Sequence, residues 1–339
     1  MTEDSSFPER IHGGPDQHGT PLHDFSTNSN ACGPCPDALA AVTQADATQY
    51  PDASYTALRQ QLATFHGVAV QRMVLAASAS EFIFRITAVV AQRGGLAVWL
   101  PPHSYGDYAQ AARAHGLQLT ADPERAALRW ACDPSSPLGS AHDDLQTLTA
   151  SPAAVTVLDR AYEPLRLSGA LELDKAQLQT VWQLYTPNKA LGLTGVRAAY
   201  AIAPVDSDFF VDALGQRCPS WPIGAHGVAM LQAWVSPAAQ AWLAGSLAIL
   251  RDWKAQQIAL CESWGWRCLH SNANFFCAQP ALPPAMTLPQ ALAQLRTQDI
   301  KLRDATSFGL PGHVRISVQQ PTAQADLRHA WLQLLRKSA

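Results

Sequence analysis

This sequence has no cluster of lysine or arginine, and its 24 basic residues are outnumbered by 27 acidic ones, leaving a net charge of −3. Nucleic acids and anionic membrane surfaces both call for a basic patch, so neither is an expected partner. Long apolar runs are also missing: Ile86–Val90 gives way to Gln92-Arg93-Gly94-Gly95, too early to span a bilayer. The opening residues Met1-Thr2-Glu3-Asp4-Ser5-Ser6 are acidic and polar, whereas a secretory signal needs a basic start and an apolar core. Seven cysteines, an odd number without regular spacing, argue against a disulfide framework and fit a reducing cytoplasm. Cys32-Gly33-Pro34-Cys35 imitates a redox motif, but no strand-like run precedes it and no second metal-spaced pair accompanies it. A cytoplasmic protein without a metal is the expectation. Charge is sparse at 15%, yet a hydrophobic content of 47% describes an ordered globular chain. At about 150 residues per domain, 339 residues suggest two.

The most informative stretch is Tyr185-Thr186-Pro187-Asn188-Lys189-Ala190-Leu191-Gly192-Leu193-Thr194-Gly195-Val196-Arg197. Upstream, the apolar run Ala154-Val155-Thr156-Val157-Leu158 closes on Asp159. Taken singly, a lysine near glycines is commonly a solvated surface residue, and a strand-end aspartate is commonly a cap or turn residue. Taken together, they are the protein parts that pyridoxal phosphate needs. The lysine amine can form a Schiff base, the carboxylate can face a pyridinium nitrogen, and the planar arginine fork can hold a phosphate.

Strands and helices alternate through this part of the chain. Met73–Ala76 reads as a short strand, followed by Ala77-Ser78-Ala79-Ser80-Glu81 and a helical run from Phe82. A turn of small residues between strand and helix aims backbone N–H groups at an anion, although Ser78 serves equally as a plain N-cap. Leu96–Leu100 is the next strand, leading through Pro101-Pro102-His103-Ser104-Tyr105 into a helix from Ala109 to His115. The alternation predicts an α/β fold with a mostly parallel sheet.

The lysine segment resembles the cofactor loop of fold-type I pyridoxal-phosphate enzymes, which commonly reads Ser/Thr-x-x-Lys, a spacer, then Gly-x-Arg. His12-Gly13-Gly14, followed by Asp24-Phe25-Ser26-Thr27-Asn28-Ser29-Asn30 and Gly33-Pro34, is similar to the N-terminus of one branch. That branch is the L-threonine-O-3-phosphate decarboxylase and histidinol-phosphate aminotransferase group. The resemblance covers about residues 10 to 335 and implies the aspartate aminotransferase fold, with pyridoxal 5′-phosphate as cofactor. It implies an N-terminal arm over 1–44 joining a small domain at 230–339, and a large cofactor-binding domain over 45–229.

Residue by residue, the resemblance implies that Lys189 carries the cofactor as a Schiff base and that Asp159 keeps the ring nitrogen protonated. Tyr105 stacks on the ring, unless it is a core tyrosine at a loop edge. Ser78, Ala79, Ser80, Thr186 and Arg197 hold the phosphate, with Asn188 beside them. Tyr162 bonds the 3′-oxygen. Tyr50, in Gln49-Tyr50-Pro51-Asp52, reaches the phosphate of a neighbouring subunit, which implies a homodimer with shared sites. His12, Gly13, Gly14 and Asn30 line the substrate pocket, and Arg315 and Arg303 take a substrate carboxylate and phosphate, in that order or exchanged.

Three positions depart from the pattern. Ser136 stands where relatives carry an asparagine, Arg160 follows Asp159 where they carry glutamate, and Pro219-Ser220-Trp221-Pro222 lacks its final asparagine. The implied activity is decarboxylation of L-threonine O-3-phosphate to (R)-1-amino-2-propanol O-2-phosphate in cobalamin biosynthesis. An aminotransferase of the histidinol-phosphate type uses the same residues. The departures also leave room for a non-catalytic relative, which would bind no coloured cofactor.

Overall fold

The computed structural model describes residues 12–150 and 154–337. Its centre is a seven-stranded sheet built from β1 (Met73–Ala76), β2 (Ala97–Trp99), β3 (Gln118–Thr120), β4 (Leu128–Cys132), β5 (Val155–Asp159), β6 (Trp182–Tyr185) and β7 (Ala199–Ile202). The order is β1-β7-β6-β5-β4-β2-β3. β7 runs antiparallel to β1 and β6, and the other neighbours are parallel. Parallel strands are covered on both faces, so they favour near-continuous apolar runs. Accordingly β1, β4, β6 and β7 are buried at every position. This is the α/β, mostly parallel arrangement expected from the alternation of elements.

The helix Ala79–Gln92 shows how the flanking layers form. Ser78 caps it, its hydroxyl accepting from the Glu81 N–H at 3.1 Å, while a Glu81 carboxylate oxygen accepts from Ala77 N–H at 3.2 Å. Phe82, Ile83, Ile86, Val89 and Val90 fall on one face and pack with Val74, Ala76, Trp182 and Leu184 of the sheet. Each large apolar side chain so buried contributes about 1.5–3 kcal/mol.

A second, four-stranded antiparallel sheet runs Arg303–Asp304, Val314–Ser317, Phe275–Gln279, Arg267–Cys268. The 27-residue helix Pro237–Ser263 ties the two sheets together. Its Leu243 and Leu250 enter the core beside β1, β6 and β7, while Cys261 enters the core under the second sheet. No single helix among the described residues is long and apolar enough to cross a membrane.

The run Lys301-Leu302-Arg303-Asp304 is not one strand: Ile300–Lys301 pairs parallel with His23–Asp24 of the arm, and Arg303–Asp304 pairs antiparallel with Val314–Arg315. The arm supplies the missing edge partner, which no local pattern reveals. The run from Ser271 to Cys277 likewise enters its strand only at Phe275. The Ser271 hydroxyl is taken up by Ala273 N–H and Phe275 C=O, and the Asn274 amide donates to Ser29 C=O at 3.0 Å. The Ser271 bonds, made within four residues, compete with ladder pairing. The first eleven residues of the expected arm lie outside the described residues.

Candidate active site

The carboxyl ends of β4, β5 and β6 open into a cavity of about 1410 Å³. Lys189, Asp159, Tyr105, Ser78, Ala79, Ser80, Ser136, Tyr162, Thr186, Asn188, Arg197, His12, Gly13, Arg303 and Arg315 all line it. Residues up to 303 positions apart in the chain therefore meet in one space. Three expected residues do not line it. Tyr50 is 78% exposed and stacks on Trp221 at 4.5 Å. Gly14 sits behind its neighbour, its N–H donating to the Ser26 hydroxyl. Asn30 is buried behind the lysine loop, donating to Ala190 C=O at 3.1 Å and Ser246 Oγ at 2.8 Å, while its backbone N–H donates to Lys189 C=O.

Asp159 ends β5 with 5% exposure. One carboxylate oxygen accepts from the Ala161 N–H at 2.9 Å, and the other from the Tyr108 hydroxyl at 2.6 Å. Burial pushes its pKa up, against those two donors and the nearby Lys189 charge. The Lys189 amine lies 5.5 Å from the centre of the Tyr162 ring and has no hydrogen-bond or ion-pair partner among the described residues. An uncommitted amine next to a buried carboxylate is a reactive arrangement.

The lysine loop is braced from within. The Thr186 hydroxyl donates to Asn188 Oδ1 at 2.9 Å, and the Asn188 amide donates to Thr194 and Val196 carbonyls at 3.4 and 3.3 Å. Gly192 closes the loop at φ +69°, where a Cβ would lie 2.6 Å from the Gly33 carbonyl oxygen. Only glycine meets both demands. Beyond this loop, Arg197 is exposed into the cavity with no partner among the described residues. The start of helix Ala79–Gln92 lines the same cavity; Ser78 Oγ accepts from one of its first N–H groups, and those groups have no intrahelical acceptor. A helix start and an arginine without a partner among the described residues could hold a phosphate.

The other wall comes from the second sheet and the arm. Arg303 and Arg315 face each other across one strand pair and are 3% and 8% exposed. Arg315 donates to the Ser26 carbonyl at 2.9 Å, and its buried Nε has no partner. Arg303 donates to Ser307 Oγ at 2.7 Å. Burial and the adjacent Arg315 charge lower Arg303 to about 10, so it stays protonated at neutral pH. Gly13 lets the arm close over this wall, since a Cβ there would meet the Ser26 carbonyl oxygen at 2.3 Å.

Among the cavity residues that escaped the sequence reading, two bond directly to expected ones. Asn28, 2% exposed, donates its amide to the Tyr162 hydroxyl at 3.2 Å; it stands where Asn30 was expected. Tyr108 lies three residues past Tyr105, the extended N-cap of helix Gly106–Ala114, and the two rings meet edge-on at 5.8 Å. Among the departures, Ser136 is buried at the cavity wall. Arg160 lies outside it, donating to Gln183 Oε1 at 2.8 Å and packing over the Tyr185 ring. Its charge thus serves the sheet, and the exchange for glutamate removes nothing from the cavity. The Cys32 thiol is pushed up by burial, opposite to a redox-active thiol, and all seven cysteines are free. Among the described residues no His, Cys, Asp and Glu cluster is disposed to hold a metal.

Fold and site together define an α/β protein with a lysine–aspartate pair at the strand ends and a phosphate seat beside it. The chain belongs to the class I and II aminotransferase family, whose model matches residues 20–331. It is 26% identical over 328 residues to a histidinol-phosphate aminotransferase of Jannaschia, covering 90% of this chain and 88% of that protein. It is 28% identical over 322 residues to an aromatic amino acid aminotransferase of Rhodococcus erythropolis, covering 88% and 86%. The L-threonine-O-3-phosphate decarboxylase structure from Porphyromonas gingivalis superposes with a TM-score of 0.79 at 20% identity, covering 93% of this chain and all of that one. The histidinol-phosphate aminotransferase of Sinorhizobium meliloti, solved with pyridoxal-5′-phosphate, gives 0.79 at 22% identity and 99% coverage of both chains. Pyridoxal 5′-phosphate is the cofactor of this family. The residues present fit it: a free amine, a buried carboxylate, a phosphate seat and an aromatic ring, Tyr105, all face one cavity.

Proposed function

We propose that this chain decarboxylates L-threonine O-3-phosphate to (R)-1-amino-2-propanol O-2-phosphate, a step toward the cobalamin nucleotide-loop linker. One observation carries the reading: two buried arginines at facing strand positions, Arg303 and Arg315, in the wall of a lysine-containing cavity. Both guanidinium groups line the cavity, and an arginine fork suits carboxylate and phosphate alike. A compact substrate bearing both a carboxylate and a phosphate offers one anion to each.

In this reading Lys189 holds the cofactor through its amine, Asp159 faces the ring nitrogen, and Tyr105 stacks on the ring. Ser78, Ala79, Ser80, Thr186 and Arg197 take the phosphate, with Asn188 bracing their loop; Tyr162 and Ser136 serve the 3′-oxygen. When bound, the cofactor supplies an electron-poor ring that accepts the electron pair of a breaking bond to the substrate α-carbon. Arg315, fixed by Ser26, orients the carboxylate, and Arg303 the substrate phosphate. The substrate amine would displace the Lys189 amine, and the freed, protonated amine would return a proton to the α-carbon as carbon dioxide leaves. Asn28 polarises the Tyr162 hydroxyl by donating to it. In this reading Tyr50, exposed and stacked on Trp221, would reach the cofactor phosphate of a second subunit, and the working form is a homodimer. This reading divides the chain into an arm (1–44) joining a small domain (230–339) and a cofactor-binding domain (45–229).

A second reading is favoured by the names of the relatives at 26% identity: amino-group transfer of the histidinol-phosphate type. The same residues serve it, with a C–H bond broken in place of the C–C bond. Incubation of the purified protein and cofactor with L-threonine O-3-phosphate separates the two. Release of carbon dioxide supports decarboxylation; transfer of the amino group to 2-oxoglutarate without carbon dioxide rejects it.

A further inference from the structure

Asp159 does not stand alone at the cavity floor. Tyr108 comes from the helix Gly106–Ala114, is 1% exposed, and reaches the cavity with its hydroxyl 2.6 Å from Asp159 Oδ2. Its ring lies flat on Trp130 of β4, with centres 4.3 Å apart at 10°, and meets the Tyr105 ring edge-on at 5.8 Å. The phenol is thus clamped on two sides. Ala161 N–H holds the other carboxylate oxygen at 2.9 Å, so the plane of the carboxylate is set by one backbone and one side-chain donor. Only the side-chain donor can be removed without moving the main chain.

We propose that Tyr108 is the positioning residue of the ring-nitrogen partner: its hydroxyl holds Asp159 as an oriented anion so that the proton of the pair stays on the cofactor nitrogen. The proposal rests on the reading of Asp159 given above. A carboxylate that accepts a hydrogen bond becomes a weaker base, and a charge-assisted bond in a buried site is among the stronger ones. Without it, burial favours the neutral carboxylic acid, which no longer attracts a protonated ring nitrogen. The other titratable groups facing Asp159 are Cys132 from β4 and Lys189 from the loop after β6. Burial holds the Cys132 thiol protonated, and Lys189 favours the aspartate anion as Tyr108 does.

The test is the dissociation constant of pyridoxal 5′-phosphate for the full chain, measured by fluorescence quenching between pH 4.5 and 8, for the wild type, Tyr108→Phe, Asp159→Asn and the double variant. Phenylalanine keeps the stack on Trp130. Tyr108→Phe is expected to weaken binding about tenfold near neutral pH and to shift the acid limb of the affinity profile upward by about one pH unit. In the Asp159→Asn background the same change is expected to alter affinity less than twofold. Tyr108→3-fluorotyrosine, a stronger donor of the same shape, shifts the limb downward and supplies the result if the phenylalanine variant does not fold. An unmoved acid limb in either variant overturns the role of Tyr108, as does an equal loss with and without Asp159, which marks a merely structural ring. If Asp159→Asn itself leaves affinity and profile intact, the assignment of Asp159 fails, and the role of Tyr108 with it.

Discussion

The two walls of the cavity differ in how their polar groups are committed. On the cofactor wall Asp159 is bonded twice and Thr186 and Asn188 are locked to each other beneath the loop, while Lys189 and Arg197 have no hydrogen-bond or ion-pair partner among the described residues. These residues come from consecutive strand ends of one sheet. The substrate wall joins partners far apart, as in the bond from Arg315 to Ser26 across 289 positions. It concentrates two buried positive charges side by side. The first wall is pre-set for one ligand. In the proposed reading the second receives a doubly anionic substrate through Arg303 and Arg315, and it is where relatives sharing a cofactor can diverge.

Lys189→Ala strikes the first wall hardest. It is expected to lower turnover by about 10³-fold or more while leaving the thermal midpoint near that of the wild type, because the amine has no structural partner. Steady-state rates with calorimetry check both halves. Arg315→Ala and Arg303→Ala probe the second wall. Loss of one partner of a buried charged contact costs about 2–5 kcal/mol, so kcat/KM should fall on the order of 100-fold or more. Cofactor affinity should stay within about twofold. If either substitution also releases cofactor, the walls are not separate units.

Gly192→Ala tests the bracing under the lysine loop. A side chain at φ +69° pressed against the Gly33 carbonyl is expected to cost about 2–3 kcal/mol in urea unfolding. The smallest effect lies behind the cofactor wall. His66 Nε2 accepts from the Tyr200 hydroxyl at 2.9 Å, that hydroxyl taking its own bond from Trp234 Nε1, and the ring lies 4.8 Å from Tyr185. Burial and the Arg160 charge lower His66 to about 4, below the unfolded value of 6.5. The unfolded chain therefore binds the proton first. The neutral ring's contribution is full above pH 6.5 and is lost as pH falls toward 4, by about 2–3 kcal/mol. Unfolding midpoints across that window, compared with His66→Phe, isolate the slope.

Much of the cofactor wall was legible because its chemistry lies in short segments. The run from Thr186 to Arg197 and the strand ending at Asp159 are contiguous, and apolar continuity marks their strands. Tyr108 was missed although its spacing from Tyr105 was in view, because its role exists only through Asp159, fifty-one positions away. The arm was harder. Its side chains find partners on the second sheet, so Asn28 and Asn30 cannot be told apart locally; one faces the cavity and the other buttresses the lysine loop. The split at Leu302 has the same cause, since the partner of Ile300–Lys301 lies at the other end of the chain. Arg160 shows the reverse case: a departure that looked chemical in the sequence belongs to packing against Gln183 and Tyr185.

The central claim is that residue 189 carries the cofactor. Incubating the protein with pyridoxal 5′-phosphate, reducing with borohydride and mapping peptides by mass spectrometry tests it directly. A pyridoxyl-phosphate adduct on the peptide containing Lys189, absent from Lys189→Ala, is the predicted result. Adduct on other lysines with Lys189 unmodified would contradict it.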